Sequence, residues 1–341
     1  MNLSLNREAL DTLRGGKSLL AFSGGVDSSA LLFLLRDKGI EFDIALVNYQ
    51  TRLESRQEEE YAISLAKRFS IKAHTVKAPK FHNNFEKRAR DFRYGFFKSL
   101  IGRYGYDNLI TAHQLNDQLE WLLMRLVKGA GLVELLGLAP VVERDGYRVV
   151  RPLLNISKGE LLSYLDREGH RYFIDESNSD VRYERNYFRR EFSDRLIGEY
   201  REGIIRSFEY LNRDRDIVLS GYRELYSHRE FHIIKIGGLH HKVRVVDIYL
   251  KRLGYLLSSA QRREVERGDS IVIGGVWAIE HIDNLLYIAP YIRESMPKQF
   301  KERCRLLRIP PKVRGYIYSI GLYESLDLIS KAISYCDSNP K

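Results

Sequence analysis

With 341 residues, 44% of them hydrophobic, the chain is long enough for two domains, each with its own core. A formal net charge of +10 at pH 7 points to a polyanionic partner; nucleic acid fits better than a membrane, because no apolar run approaches membrane-spanning length. Two cysteines, Cys304 and Cys336, exclude a disulfide scaffold and form no zinc pattern, and residues 1–16 hold no signal-peptide apolar core, so a reducing, cytoplasmic setting is expected.

The first element is a short apolar run, Leu19 to Phe22, which reads as the end of a buried strand. From Asp27 onward Ala30, Leu31, Leu34 and Leu35 recur at helical spacing, so "SGGVDSS" lies at a strand-to-helix turn. "FDIALVNYQ" reads as a second buried strand and "SRQEEEYAISLAKRFS" as a helix with an acidic first turn. "IKAHTVK" is a third strand, "FEKRARDFRYGFFKSLIGRYG" a basic, aromatic-rich helix, "NLITAH" a fourth strand and "NDQLEWLLMRLVKG" a fourth helix. Strands alternating with helices predict an α/β fold, a parallel, doubly wound, Rossmann-like sheet with both faces covered. Ligands of such sheets bind outside the C-terminal strand ends, where the SGG turn, Asn48 to Gln50 and His113 all fall.

From residue 190 the texture changes. "RREFSDRLIGEYREGIIRSFEYLNRDRDIVLSGYREL" reads as a connecting helix or helical pair, "FHIIKI" as a strand, and "SIVIGGVWAIEHIDNLLYIA" as a hairpin or meander turning at Gly274-Gly275 and Asp283-Asn284. The boundary is expected near residue 190, giving a nucleotide-binding domain over 1–190 and a smaller helical or α+β domain over 191–341.

The SGG turn carries the clearest chemistry. Gly24 and Gly25 can take positive φ and expose backbone N–H groups, and the helix N-terminus behind them suits a phosphate. Ser23 and Ser28 add hydroxyls. Asp27 would repel a phosphate unless a cation stands between them, and Mg²⁺ resolves that conflict; the alternative is that Asp27 and the serines only cap the helix. Gly16-Lys17-Ser18 mimics the end of a Walker A loop but precedes the strand.

His113 falls at a strand end, and Asp117 and Glu120, three apart, share a helix face, where they could bind a metal or hold a cationic substrate. The alternative makes Asp117 a cap, Glu120 a solvated side chain and His113 an ordinary strand-end histidine. Arg90, Arg93, Tyr94 and Phe97 share one side of a helix, either as guanidinium groups aimed at phosphates or a base, or as an amphipathic helix whose aromatics join the core. Arg185 and Arg189, four apart, serve a site or a surface ion pair equally well. "KQFKERCRLLRIPPKVRGYIY" suits an RNA footprint as well as a solvated face.

Ser23-Gly24-Gly25-Val26-Asp27-Ser28 resembles the PP-loop of the ATP-pyrophosphatase superfamily. The ordered set that follows is similar to the tRNA(Ile)-lysidine synthetase family: Ala89-Arg90 with Arg93-Tyr94, His113, Asp117-Gln118, Glu120, Lys128-Gly129-Ala130-Gly131, Arg151-Pro152-Leu153-Leu154, Asp175, Ser177-Asn178, Tyr183, Arg185-Asn186 and Arg189. The likeness spans about the first 190 residues and is looser beyond, clearest at "IPPKVR". The chain departs from the family's HxxDDQxET at Asn116 and Trp121, and has KGAG for RGSG.

The resemblance implies an ATP-dependent ligase joining free L-lysine to C2 of the wobble cytidine of a minor tRNA(Ile) with a CAU anticodon, through an adenylated cytidine. It implies ATP and Mg²⁺ as cofactors, the loop Ser23 to Ser28 as the nucleotide site, and Asp27 as metal ligand. His113, Asp117 and Glu120 would meet substrate, and Asp27, Asp117, Arg90 and Arg185 would carry catalysis. A homodimer is left open. The rivals are a PP-loop tRNA thiolase, disfavoured because the first 190 residues hold no cysteine, a small-molecule PP-loop amidotransferase, which needs no basic C-terminal half, and a non-catalytic RNA-binding protein, disfavoured by the intact loop aspartate.

Overall fold

Leu19 and Leu20 are both fully buried, yet they join different cores, and the first unit is organised by that alternation. The structure is a computed structural model and describes residues 3–50, 54–81, 83–144, 146–174 and 184–337. Asp175, Ser177, Asn178 and Tyr183 of the motif set lie outside the described residues.

The chain begins with α1 (Arg7–Leu13), β1 (Ser18–Ala21), α2 (Val26–Asp37), β2 (Asp43–Asn48), α3 (Glu54–Phe69) and β3 (Ala73–Lys77). It continues through α4 (Phe85–Tyr104), β4 (Asn108–Ile110), α5 (Leu115–Leu126), α6 (Leu132–Leu135), β5 (Val141–Arg144), β6 (Tyr147–Val150) and α7 (Lys158–Arg167). After α8 (Glu184–Phe188) comes a π-helical turn, Arg189–Ser193, leading into α9 (Asp194–Ser220).

The sheet order is β3-β2-β1-β4-β6-β5, all parallel except the antiparallel edge strand β5. Leu20, Ile44, Leu46, Ile110 and Val150 face one side, packed with α2, α3 and α7. Leu19, Ala45, Leu109 and Val149 face the other, against Phe97, Leu100 and Ile101 of α4. α2 is buried along most of its length and so is apolar nearly all round. α4 stops at Gly105, which takes φ +65° and donates its N–H to the Ile101 carbonyl.

The parallel sheet is as expected; the β5–β6 hairpin is an addition. Its signal was present, since Asp145-Gly146 between two apolar pairs is a hairpin turn signature. The chain leaves β1 toward β2 on one side, while β4 pairs on the other. The strand order therefore reverses between β1 and β4, and the crevice outside their C-terminal ends is the ligand position of such sheets.

The second unit holds β7 (Tyr222–His228), β8 (Phe231–Ile236), α10 (Lys242–Arg252), α11 (Ser259–Arg267), β9 (Ser270–Ile273), β10 (Trp277–Ile282), β11 (Leu285–Pro290), α12 (Lys298–Leu306), α13 (Arg314–Ser319) and α14 (Leu326–Asp337). Its antiparallel sheet runs β7-β8-β11-β10-β9. Ile234, Ile279 and Ile288 pack with Val245, Val246 and Leu250 on one face, and Ile233, Ala278 and Tyr287 pack with Phe300, Ile317 and Leu326 on the other.

The expected meander through β9, β10 and β11 is present, whereas Tyr222 to Leu225, expected as helix, forms the start of β7. The two compact units are Met1–Asn212 and Arg213–Lys341, and the division between them falls within α9. Ile197 and Phe208 of α9 explain this, because they are buried with Leu115 and Leu119 of α5 in the first unit. Among the described residues no helix is long and apolar enough to cross a membrane.

Candidate active site

Gly24 takes φ +79°, and a Cβ there would lie 3.2 Å from the Phe173 ring, so conformation and space both demand glycine. The Phe173 N–H donates to the Gly24 carbonyl at 2.9 Å and fixes the loop from behind. Ser28 is turned inward: its Oγ accepts from the Ser23 N–H and donates to the Gly25 carbonyl, both at 3.2 Å. Ser23 Oγ lies 3.1 Å from it. The Val26 side chain belongs to the core, leaving its backbone to the loop. Gly25 caps α2 with no side-chain hydrogen bond, so the first N–H groups of the helix suit an anion.

Asp27 stands in the first turn of α2, and its Oδ1 is buried without a hydrogen-bond partner. Burial foremost, then the negative charge of Asp117, pushes its pKa up to about 6; Lys158 and Arg189 oppose the shift and Glu120 adds to it. An unpartnered carboxylate oxygen beside a phosphate-type loop fits a hard cation shared with phosphate oxygens. Among the described residues no three His, Cys, Asp or Glu side chains cluster to hold a metal by themselves. Any Mg²⁺ here would therefore take most of its ligands from substrate and water.

The second wall is the start of α5. Gln114 and Asp117 form a capping box: the Gln114 side chain accepts from the Asn116 N–H at 2.6 Å, and Asp117 Oδ2 accepts from the Gln114 N–H at 2.9 Å. Asp117 thus caps its helix, but it also reaches further. Its Oδ1 accepts from Arg185. Glu120 is fully buried and not solvated; Arg185 Nε donates to its Oε2 at 2.7 Å and Arg189 Nε to its Oε1 at 2.6 Å. Burial alone would lower the pKa of both arginines, but Asp117 and Glu120 raise it, so both stay charged. The cation that these carboxylates hold is the chain's own.

His113 follows β4, with Nδ1 3.0 Å from Thr111 Oγ1. Burial, reinforced by the charges of Arg151, Arg185, Arg93 and Arg90, drives its pKa down to about 3, so the imidazole is neutral at physiological pH. Arg90, on α4, is exposed and lies 5.6 Å from the Tyr94 ring centroid. Arg151, just after β6, is buried; its Nη1 donates to the Ala139 carbonyl at 2.8 Å while its Nε has no partner.

Asp27 lies within electrostatic reach of Asp117, Glu120, Lys158 and Arg189, and His113 within reach of Arg90, Arg93, Arg151 and Arg185. Arg151, Lys158 and Phe173 join them without having been assigned a role from the sequence. Arg151 opens the Arg151-Pro152-Leu153-Leu154 motif, whereas nothing local marks Lys158 or Phe173. Of the two departures, Trp121 donates to the Glu134 carbonyl at 2.9 Å and covers Gly137, on the side of α6.

In the second unit, Lys301, Arg303, Arg305 and Arg308 are exposed, with Arg303 paired to Asp327 at 2.8 Å. Lys312 and Arg314 hold the chain itself, donating to the Ser270 and Ile309 carbonyls at 2.6 Å each.

A family model described as a PP-loop domain matches residues 3–196. The tRNA(Ile)-lysidine synthase of Campylobacter jejuni (strain NCTC 11168) is 44% identical over 322 residues, covering 93% of this chain and 97% of that protein. That of Wolinella succinogenes is 42% identical over 313 residues, covering 92% and 96%. Among solved structures, the U34-tRNA thiolase NcsA from Methanococcus maripaludis is similar with a TM-score of 0.49 and 18% identity, over 60% of this chain and 76% of that one.

Proposed function

The chain belongs to the tRNA(Ile)-lysidine synthase family, and from that premise we propose how its residues divide the reaction. The activity is ATP-dependent formation of lysidine at the wobble position of a tRNA. In the proposed sequence, O2 of the wobble cytidine in a CAU anticodon attacks the α-phosphorus of ATP and pyrophosphate leaves. The ε-amine of free lysine then attacks C2, AMP departs with that oxygen, and the amine gives up a proton. The modified tRNA(Ile) changes from methionine to isoleucine identity, and the enzyme works in the cytoplasm.

The unpartnered Asp27 oxygen at the head of a glycine loop supports this reading most. The loop N–H groups would receive the phosphates, and Asp27 would hold Mg²⁺, which when bound neutralises charge on the pyrophosphate. His113, neutral and with Nδ1 held by Thr111, leaves Nε2 to meet substrate as a single donor or acceptor. Arg90 and Tyr94 present a cation and a ring face to the extruded cytidine.

An ammonium arriving at Asp117 and Glu120 would exchange with Arg185, whose side chain is 50% exposed against 17% for Arg189. The released guanidinium is then available to the AMP phosphate as it leaves. Pyrophosphate release that requires ATP and tRNA together, and labelled lysine that enters tRNA only afterwards, is the expected result. Pyrophosphate release without lysine incorporation would overturn it.

The exposed basic residues of α12 and of the turn that follows it are the proposed contact for tRNA phosphates. Replacing Lys301, Arg305 and Arg308 by glutamine should weaken tRNA binding and flatten the plot of log K against log salt by about 0.7–0.9 per contact removed. Filter binding at several salt concentrations reads this directly. An unchanged slope would move the footprint elsewhere, to Arg90 and Arg93 first.

A further inference from the structure

Asn116, one of the two departures from the HxxDDQxET motif, is buried and joins three elements. Its Nδ2 donates to Asp194 Oδ1 at 2.7 Å, and its Oδ1 accepts from the Lys158 N–H, the first residue of α7, at 3.1 Å. Its carbonyl accepts from the buried Ser193 Oγ at 3.3 Å. Ser193 ends the π-helical turn that begins at Arg189, and Asp194 opens α9. Glu120 lies four residues after Asn116, one turn along the same face of α5. α5 therefore grips the following segment at two points: Glu120 takes the guanidinium groups of Arg185 on α8 and Arg189 at the start of the π-helical turn, and Asn116 takes the end of that turn.

The residue type matters. Position 116 must donate toward a carboxylate and accept from a backbone N–H at once, which a primary amide does without charge. An aspartate would still accept from Lys158 but would face Asp194 with like charge. A π-helical turn is rare and is set by the groups that pin it.

We propose that Asn116 and Asp194 are a positioning pair that sets the π-turn and so delivers Arg185 and Arg189 to Asp117 and Glu120. The proposal rests on the reading of those arginines as working groups of the site. It makes restoration of the family's own residue harmful: Asn116→Asp should lower lysine incorporation on the order of 10²-fold, as for a misplaced catalytic group. The swap Asn116→Asp with Asp194→Asn recreates a donor facing an acceptor and keeps the bond to Lys158. It should recover most of the activity. Asp194→Asn alone preserves the hydrogen bond and should stay near the native rate.

Two further readouts separate positioning from folding. Thermal midpoints of the four proteins give the coupling of the pair without reference to activity. Hydrogen exchange of the Arg185 and Arg189 Nε–H groups, followed by NMR, should speed up in Asn116→Asp and slow again in the swap. Native-like activity in Asn116→Asp, or a swap that restores the midpoint but neither exchange protection nor rate, would overturn the proposal. A native chain that incorporates no lysine would instead overturn the functional reading, and Nε–H exchange would still decide whether the pair places the arginines.

Discussion

Asp27→Asn should lose ATP-dependent pyrophosphate release by on the order of 10²–10³-fold or more while the protein becomes more stable. The two effects share one cause. Ionised Asp27 has a buried oxygen with no partner and a pKa pushed up to about 6 from 3.8, by burial first and then by Asp117. A folded-state pKa above the unfolded value means that the favourable contribution is complete below about pH 4 and is lost as pH rises through about 6. At pH 8 the metal-free fold therefore carries a charge it would shed, a cost on the order of 3 kcal/mol. Asparagine removes that charge but cannot act as an anionic ligand. Under chelation, the variant should melt above the parent at pH 8 and together with it near pH 4. Added Mg²⁺ with ATP should raise the parent's midpoint and leave the variant's nearly unchanged. Near-native pyrophosphate release by the folded variant would remove the cation-binding role, whatever its melting temperature.

The nucleotide loop was legible because its signals are local. A four-residue apolar run, paired glycines and a helical period adjoin, and at position 24 only glycine suits φ +79° beside Phe173. β7 was not legible. Arg223 and Glu224 favour helix, but pairing with β8 decides, and strand preference depends on such partners more than on the residue itself. Glu120 was open between a ligand and a solvated side chain. Its burial comes from Arg185 and Arg189, which lie 65 and 69 residues along the chain, beyond the reach of periodicity. The spacing of those arginines was visible, and both reach Glu120, whereas the π-helical turn that follows from Arg189 to Ser193 leaves no period to read.

Asp117→Ala should impair lysine use far more than ATP use. Asp117 has two jobs on separate oxygens: Oδ2 caps α5 through the Gln114 N–H at 2.9 Å, and Oδ1 receives Arg185. Losing the cap costs about 1 kcal/mol, which a fold of this size tolerates. Arg185 keeps its 2.7 Å bond to Glu120, and Arg189 keeps its own at 2.6 Å, so the arginine pair stays anchored. What disappears is one of the two charges that an incoming ammonium would meet. A truncated charged partner typically costs about 2–5 kcal/mol, so kcat/KM for lysine should fall on the order of 10²-fold or more, with pyrophosphate release changed only a few-fold. Asp117→Asn separates the jobs, because the amide oxygen still accepts from Gln114 while the charge is gone. It should match the alanine variant in lysine use while keeping the helix cap, although its amide N–H groups cannot accept from Arg185. If pyrophosphate release falls in parallel with lysine use in both variants, Asp117 serves the ATP site or only orients Arg185. The place where lysine binds must then be sought among the neighbouring carboxylates, beginning with Asp27, whose Oδ1 is buried without a partner.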